Sequence, residues 1–119
     1  MSLFQTAKGL QDMIFTGQIL EAFDKYYAEN VVMQENNEAE RVGKATNRKF
    51  EEEFVASVKA VHGGGIVAMA ANEETGHVFI ESFFDATFQN DYRMKMQQIS
   101  VQKWENGKVV HEKFYYSGK

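Results

Sequence analysis

The spacing of apolar residues changes once along this chain, and that change restricts the fold more than any other feature. Up to Val61 apolar residues recur every three or four positions; beyond Gly65 they recur every second position. The first spacing belongs to helices packed along one side, the second to strands with one buried face. Helices followed by strands joined through short turns make an α+β domain with a mostly antiparallel sheet.

The local signals are consistent with this. Ser2 can cap a helix in which Leu3, Ala7, Leu10 and Ile14 share a face, and Gly17 suits a left-handed helix end. Ile19, Leu20, Phe23 and Tyr27 form the apolar face of a second helix, opposite Gln18, Glu21, Asp24 and Lys25. A short strand is expected over 31–35, with Val31, Met33 and Glu35 pointing one way, and a polar loop from Asn36 to Val42. Gly43 opens a third helix with the stripe Phe50, Phe54, Val58 and Val61, and Gly63-Gly64-Gly65 reads as a flexible connection. Strands follow over 66–71, 78–88, 92–104 and 108–116, with turns at Asn72–Gly76, Gln89–Asp91 and Glu105-Asn106-Gly107. The alternation in 92–104 changes phase between Met94/Met96 and Ile99/Val101. That predicts a β-bulge near Gln97-Gln98, which would bend the sheet toward a cone.

The 119 residues suffice for one domain, 1–119, and its ten Phe, five Tyr and one Trp can fill a core and line a cavity. A net charge of −4 with no basic face argues against a nucleic-acid partner. The absence of cysteine excludes disulfides and thiol chemistry. With no leader pattern and no apolar run of about 18 residues, a cytoplasmic protein with no membrane partner is expected. His62, His77 and His111 lack metal-ligand spacing, the Gly63–Gly65 run lacks a following Lys-Ser/Thr, and no dinucleotide fingerprint occurs, so no metal or other cofactor is implied.

What remains is a carboxylate, Glu35, at a strand end. Desolvated by Met33 and aromatic rings it would have a raised pKa, which suits a base acting on a carbon acid near neutral pH. Alternatively it is a surface residue paired with Arg41 or Lys44. Met33, Asn37, Trp104 and Tyr115 are the candidate ligand contacts, with Asn37 equally readable as a turn residue. Glu81 and Asp85, alternating with Phe79 and Phe83, face either the pocket or solvent; His111 is read as sharing a face with Val109, Lys113 and Tyr115 at an exposed edge. The late strands are apolar on both faces, and one helix layer covers only one of them, so a homodimer is expected.

The run Tyr-Ala-Glu-Asn-Val-Val at 27–32, the helix opened by Gly43 and the closing hairpin Val101–Tyr116 resemble SnoaL-like proteins of the nuclear transport factor 2-like superfamily, over nearly the whole chain. The resemblance implies a cystatin-like cone, with three N-terminal helices on the concave face of a curved, mixed but mostly antiparallel sheet and a blind pocket between. Ketosteroid isomerase is a distant relative by the same pattern; its catalytic Asp matches Glu35, which implies a proton-shuttling base there. Two departures stand beside this: Leu10 to Met13 holds no Tyr, and the counterpart of the isomerase's later Asp falls near Ser100. Three functions follow from these readings. They are acid/base catalysis of isomerase, cyclase or hydrolase type on a small hydrophobic substrate, binding of such a molecule without turnover, and a dimerisation module.

Overall fold

A computed structural model describes residues 1–117. Helix α1 (Leu3–Phe15) starts in a capping box, in which the Ser2 hydroxyl accepts the Gln5 N–H at 3.1 Å and Gln5 Oε1 accepts the Ser2 N–H at 3.0 Å. A second cap comes from far along the chain. Glu73 accepts the N–H groups of Leu3 and Phe4 at 3.0 and 3.3 Å, placing negative charge at the positive end of the helix dipole. Helix α2 (Ile19–Tyr26) runs directly into strand β1 (Tyr27–Glu35). After β2 (Arg41–Val42), Gly43 at φ 96° opens α3 (Lys44–Ser57). The strands β3 (Val58–Asn72), β4 (His77–Phe88), β5 (Arg93–Glu105) and β6 (Lys108–Tyr115) complete the chain.

The six strands form one sheet in the order β2-β1-β6-β5-β4-β3. Every neighbouring pair is antiparallel except β1 and β6, which run parallel. The three helices cover one face of this curved mixed sheet. Ala7 and Leu10 of α1 and Ala22 and Phe23 of α2 are buried with Val31, Met33, Val78, Ile80, Trp104 and Val109 of the strands. Fully buried side chains such as Leu10 and Ile80 each stabilise the fold by roughly 1.5–3 kcal/mol.

The strands differ from the sequence-based expectation in several places. The strand expected over 31–35 begins at Tyr27, which leaves the second helix, and β2 lies within the expected loop from Asn36 to Val42. Val58 and Val61 continue the apolar stripe of α3 but belong to β3, where Val58 pairs with Phe88 and Val61 with Ala86. The Gly63–Gly65 run lies inside the same strand rather than linking elements. At Gly64 a Cβ would come within 3.2 Å of the Phe15 ring and 3.3 Å of the Phe83 carbonyl, so the missing side chain lets α1 close on the sheet. Finally, β5 has no bulge at Gln97-Gln98: its pairing with β4 is continuous and its even-numbered side chains point inward throughout. Ile99 and Val101 look out of phase because they lie on the outer face. Ile99, Phe79 and Tyr115 are each nearly half exposed there. The register shifts fall in β3, between β1 and β6, and between β5 and β6 instead.

The closing turn carries Asn106 at φ 53° and Gly107 at φ 76°. Nothing lies within 4 Å of a Cβ at Gly107, so a substitution there meets backbone strain alone. Gly107→Val is expected to lower stability by about 1–3 kcal/mol, read as a drop in melting temperature.

Candidate functional site

A row of inward-facing residues crosses three strands beneath the helices. Register places Met33 of β1 beside Glu112 of β6, and Glu112 beside Gln102 of β5. All three are at most 2% exposed. A carboxylate at that depth needs partners. Glu112 Oε1 accepts a short hydrogen bond from the Tyr27 hydroxyl, and Oε2 accepts one from Gln102 Nε2 at 2.9 Å. Gln102 Oε1 in turn accepts the Trp104 indole N–H at 2.9 Å. Among the described residues no buried side-chain polar atom is left without a partner. Desolvation is the largest influence on Glu112 and raises its pKa, against the lowering effect of its donors Tyr27, Gln102 and Ser100. Burial, and then the charge of Glu112, keep the Tyr27 phenol protonated far above its ordinary range.

A second group of polar residues sits where β1 meets the start of α3. Glu35 accepts from Arg41 Nη2 at 3.0 Å on one oxygen and from the Tyr116 hydroxyl at 2.9 Å on the other. Glu35 and Arg41 are only 15% and 16% exposed at the side chain, so this is not a solvent-screened surface pair. Arg41 is itself fixed: its Nε donates to Asn47 Oδ1 at 3.0 Å, and its guanidinium lies 3.6 Å from the Phe50 ring centre. Buried Asn47 completes the brace by donating to the Arg41 and Gly43 carbonyls, each at 2.9 Å. Burial, followed by the hydrogen bond to Glu35, pushes the Tyr116 hydroxyl up to about 12, so it remains a donor.

Glu51 on α3 joins the two groups, one helix turn beyond Asn47. By surface area Glu51 is only partly buried, yet its carboxyl group is closely enclosed. Desolvation and the charge of Glu112 push its pKa up to about 7; Arg41 opposes the shift and Glu35 adds to it. Glu51 therefore lies within reach of two other carboxylates, Glu35 and Glu112, and of one guanidinium, Arg41, which is bonded to Glu35. Low-dielectric surroundings disfavour the fully ionised cluster, so it holds a proton near neutral pH.

A cavity of about 600 Å³ opens between the end of α1, the end of α3 and β3–β4, with Ile14, Phe15, Val55 and Phe84 in its wall. Val55 follows Glu51 by one turn of α3, a rise of about 6 Å.

Of the residues singled out from sequence, Glu35, Met33 and Trp104 lie in or against this polar interior. Asn37 and Tyr115 are not brought to it: Asn37 is exposed in the turn after β1, and Tyr115 is on the outer sheet face under Lys113. Glu81 is exposed on that outer face too, and Asp85 is bound to Arg93. His111 lies 3.9 Å from Glu40, but Val109 does not share its face; Val109 is buried like Glu112, because the register of β6 shifts beside Lys103 and Trp104. Among the described residues no three His, Cys, Asp or Glu side chains gather in a way that could hold a metal ion, and no helix is long and apolar enough to cross a membrane. Sequence reasoning passed over Glu112, Tyr27, Gln102 and Glu51. The even-numbered alternation ending in Trp104 could have placed Gln102; nothing local marks Glu112.

Known structures share this architecture. A Mesorhizobium loti protein provisionally named a SnoaL-like polyketide cyclase superposes with a TM-score of 0.84 at 25% identity, over 98% of this chain and 100% of that one. A Catenulispora acidiphila protein with a ketosteroid isomerase-like fold, solved with trimethylamine, gives 0.76 at 15% identity, over 95% and 85%. An LEH-like epoxide hydrolase of Mycobacterium tuberculosis gives 0.77 at 10% identity, over 97% and 78%. No curated protein is a significant match in sequence. The SnoaL-like domain family model matches residues 1–116, and the chain belongs to that family.

Proposed function

We propose that this protein transfers protons on a small hydrophobic substrate, in chemistry of isomerase, cyclase or hydrolase type, and that Glu51 holds the exchangeable proton. The observation that carries the reading is the position of Glu51, with a pKa near 7, between the Glu35–Arg41 pair and the buried Glu112. A carboxyl group poised there can both take and return a proton at neutral pH. Glu35 is the second carboxylate of the exchange, with Arg41 and Tyr116 holding it in place. Fold relatives named as a cyclase and an epoxide hydrolase support the reading, because ring closure and epoxide opening both move protons. The test is proton–deuteron exchange at the α-carbon of a panel of small apolar ketones. Exchange by the wild type should fall at least about 100-fold in both Glu51→Gln and Glu35→Gln. Exchange unaffected by either substitution would remove the proposal.

One observation favours a second reading, ligand binding without turnover. Glu35 and Glu112 have their hydrogen bonds filled from within the protein, as in a structural network. In that case no ketone in the panel exchanges above background, while ligands still bind.

The outer sheet face, with Phe79, Ile99 and Tyr115 nearly half exposed on three adjacent strands, supports a homodimer as part of the same proposal. Light scattering at micromolar concentration should give twice the 13.6 kDa chain mass. A monomer mass would contradict it.

A further inference from the structure

The cavity wall is apolar except along β3. Pairing of β3 with β4 skips one residue between Val58 and Ala60 and another between Val61 and Gly63. The skipped residues are Lys59 and His62, and both line the cavity. A bulged residue leaves the strand ladder and its side chain is re-aimed, which is how two residues three apart in a strand come to border the same space. They are the only ionisable side chains among the lining residues, and both are bases; no carboxylate is among them. The carboxylates nearby are already engaged. Asp85 takes both its hydrogen bonds from Arg93 at 3.1 Å. Asp91 meets Lys59, but with side chains 75% and 53% exposed. Such a water-screened pair is worth little and yields readily to a better-desolvated anion. His62 Nε2 lies 2.8 Å from the Thr87 hydroxyl, which fixes the ring at the rim.

We infer that the cavity takes small amphipathic acids, with the apolar body against Ile14, Phe15, Val55 and Phe84 and the carboxylate at the Lys59–His62 rim. This rests on the acid/base proposal, takes the cavity one turn of α3 beyond Glu51 as the place where its substrate sits, and adds the substrate class. A volume of about 600 Å³ is in the range of pockets that hold drug-sized molecules. The apolar wall rewards burial of the body, and the two bases select an anion over a neutral molecule of the same shape.

The test compares 2-naphthoate with 2-naphthamide, which differ in charge but hardly in shape, by calorimetric titration of the full chain. Naphthoate should bind about tenfold more tightly at low salt. Raised salt should reduce the preference, and in the double variant Lys59→Met, His62→Gln it should shrink to within about twofold. Both positions are exposed, so the variant should melt as the wild type does. Amide shifts of Gly63, Gly64 and Phe84 in the wild type should follow the naphthoate titration, which locates the site without any substitution. Equal binding of the two probes, a preference that survives the double variant, or shifts confined to other regions would overturn the inference. Binding without preference would still leave the acid/base proposal standing. If neither probe binds, the inference fails, and the titration of Glu51, which needs no ligand, decides the acid/base proposal separately.

Discussion

Glu112→Ala should destabilise the protein by about 3–5 kcal/mol, more than any other single change considered above. Glu112 is 2% exposed and receives hydrogen bonds from Tyr27 and Gln102. Its removal leaves a phenol O–H and an amide N–H without their acceptor, each an unmet donor costing about 1–3 kcal/mol. Packing lost around the missing side chain adds to this. Glu112→Gln should cost less, because its carbonyl still accepts from Tyr27; only the amide facing Gln102 Nε2 is mismatched, unless Gln102 turns over and gives up its bond to Trp104. Chemical denaturation of the three proteins at one pH checks the order. Equal stability of wild type and Glu112→Ala would show that the network contributes nothing to folding.

Glu51→Gln should act in the opposite direction. In the fold the Glu51 pKa is raised from 4.5 to about 7. Below about pH 4.5 both folded and unfolded chains carry this proton, and Glu51 adds no pH dependence. Between there and pH 7 the unfolded chain has released it while the fold retains it, so stability falls as pH rises. Above pH 7 both forms are ionised and the full cost remains. Discounted for the partial exposure of the residue, that cost is about 1–3 kcal/mol at pH 8. The glutamine variant removes it, so the gain is greatest at pH 8 and fades toward pH 4.5. Glu112 gives a pH trend of the same sign, since its pKa is also raised. Only the difference between wild type and variant, followed across pH, isolates Glu51. A difference that does not change with pH would contradict the shift.

The α+β order was legible because the apolar spacing changes only once, and helix ends and hairpins were legible because positive-φ positions carry recognisable residues. Gly17, Gly43, Gly76, Asn106 and Gly107 all adopt positive φ. The boundary between α3 and β3 was not, because Val58 and Val61 satisfy a helical stripe and a strand equally. Pairing with β4 decides between them, and that contact lies some thirty residues away. Likewise Ile99 and Val101 suggested a bulge only on the premise that apolar side chains face inward; here an outer face is apolar as well.

The site was half legible for the same reason. The alternation Val31, Met33, Glu35 and the aromatic Trp104 could be read along single strands. Glu112 acquires its surroundings from β1, through the one parallel pairing in the sheet, and no local pattern announces that Met33 and Glu112 are neighbours. Glu51 lies off the apolar stripe of α3, like Lys44, Arg48 and Glu52, and nothing in the sequence sets it apart from them. Its difference comes from α3 lying over β1 and β6, where two other carboxylates are waiting.

The central claim is that the buried carboxylate cluster keeps one exchangeable proton on Glu51 near neutral pH. The most direct measurement is the chemical shift of the Glu51 side-chain carboxyl carbon across a pH titration, assigned by comparison with Glu51→Gln. A midpoint near 7 is the predicted result. A midpoint in the ordinary carboxylate range, about 4.3, would contradict the account and with it the proposed proton transfer.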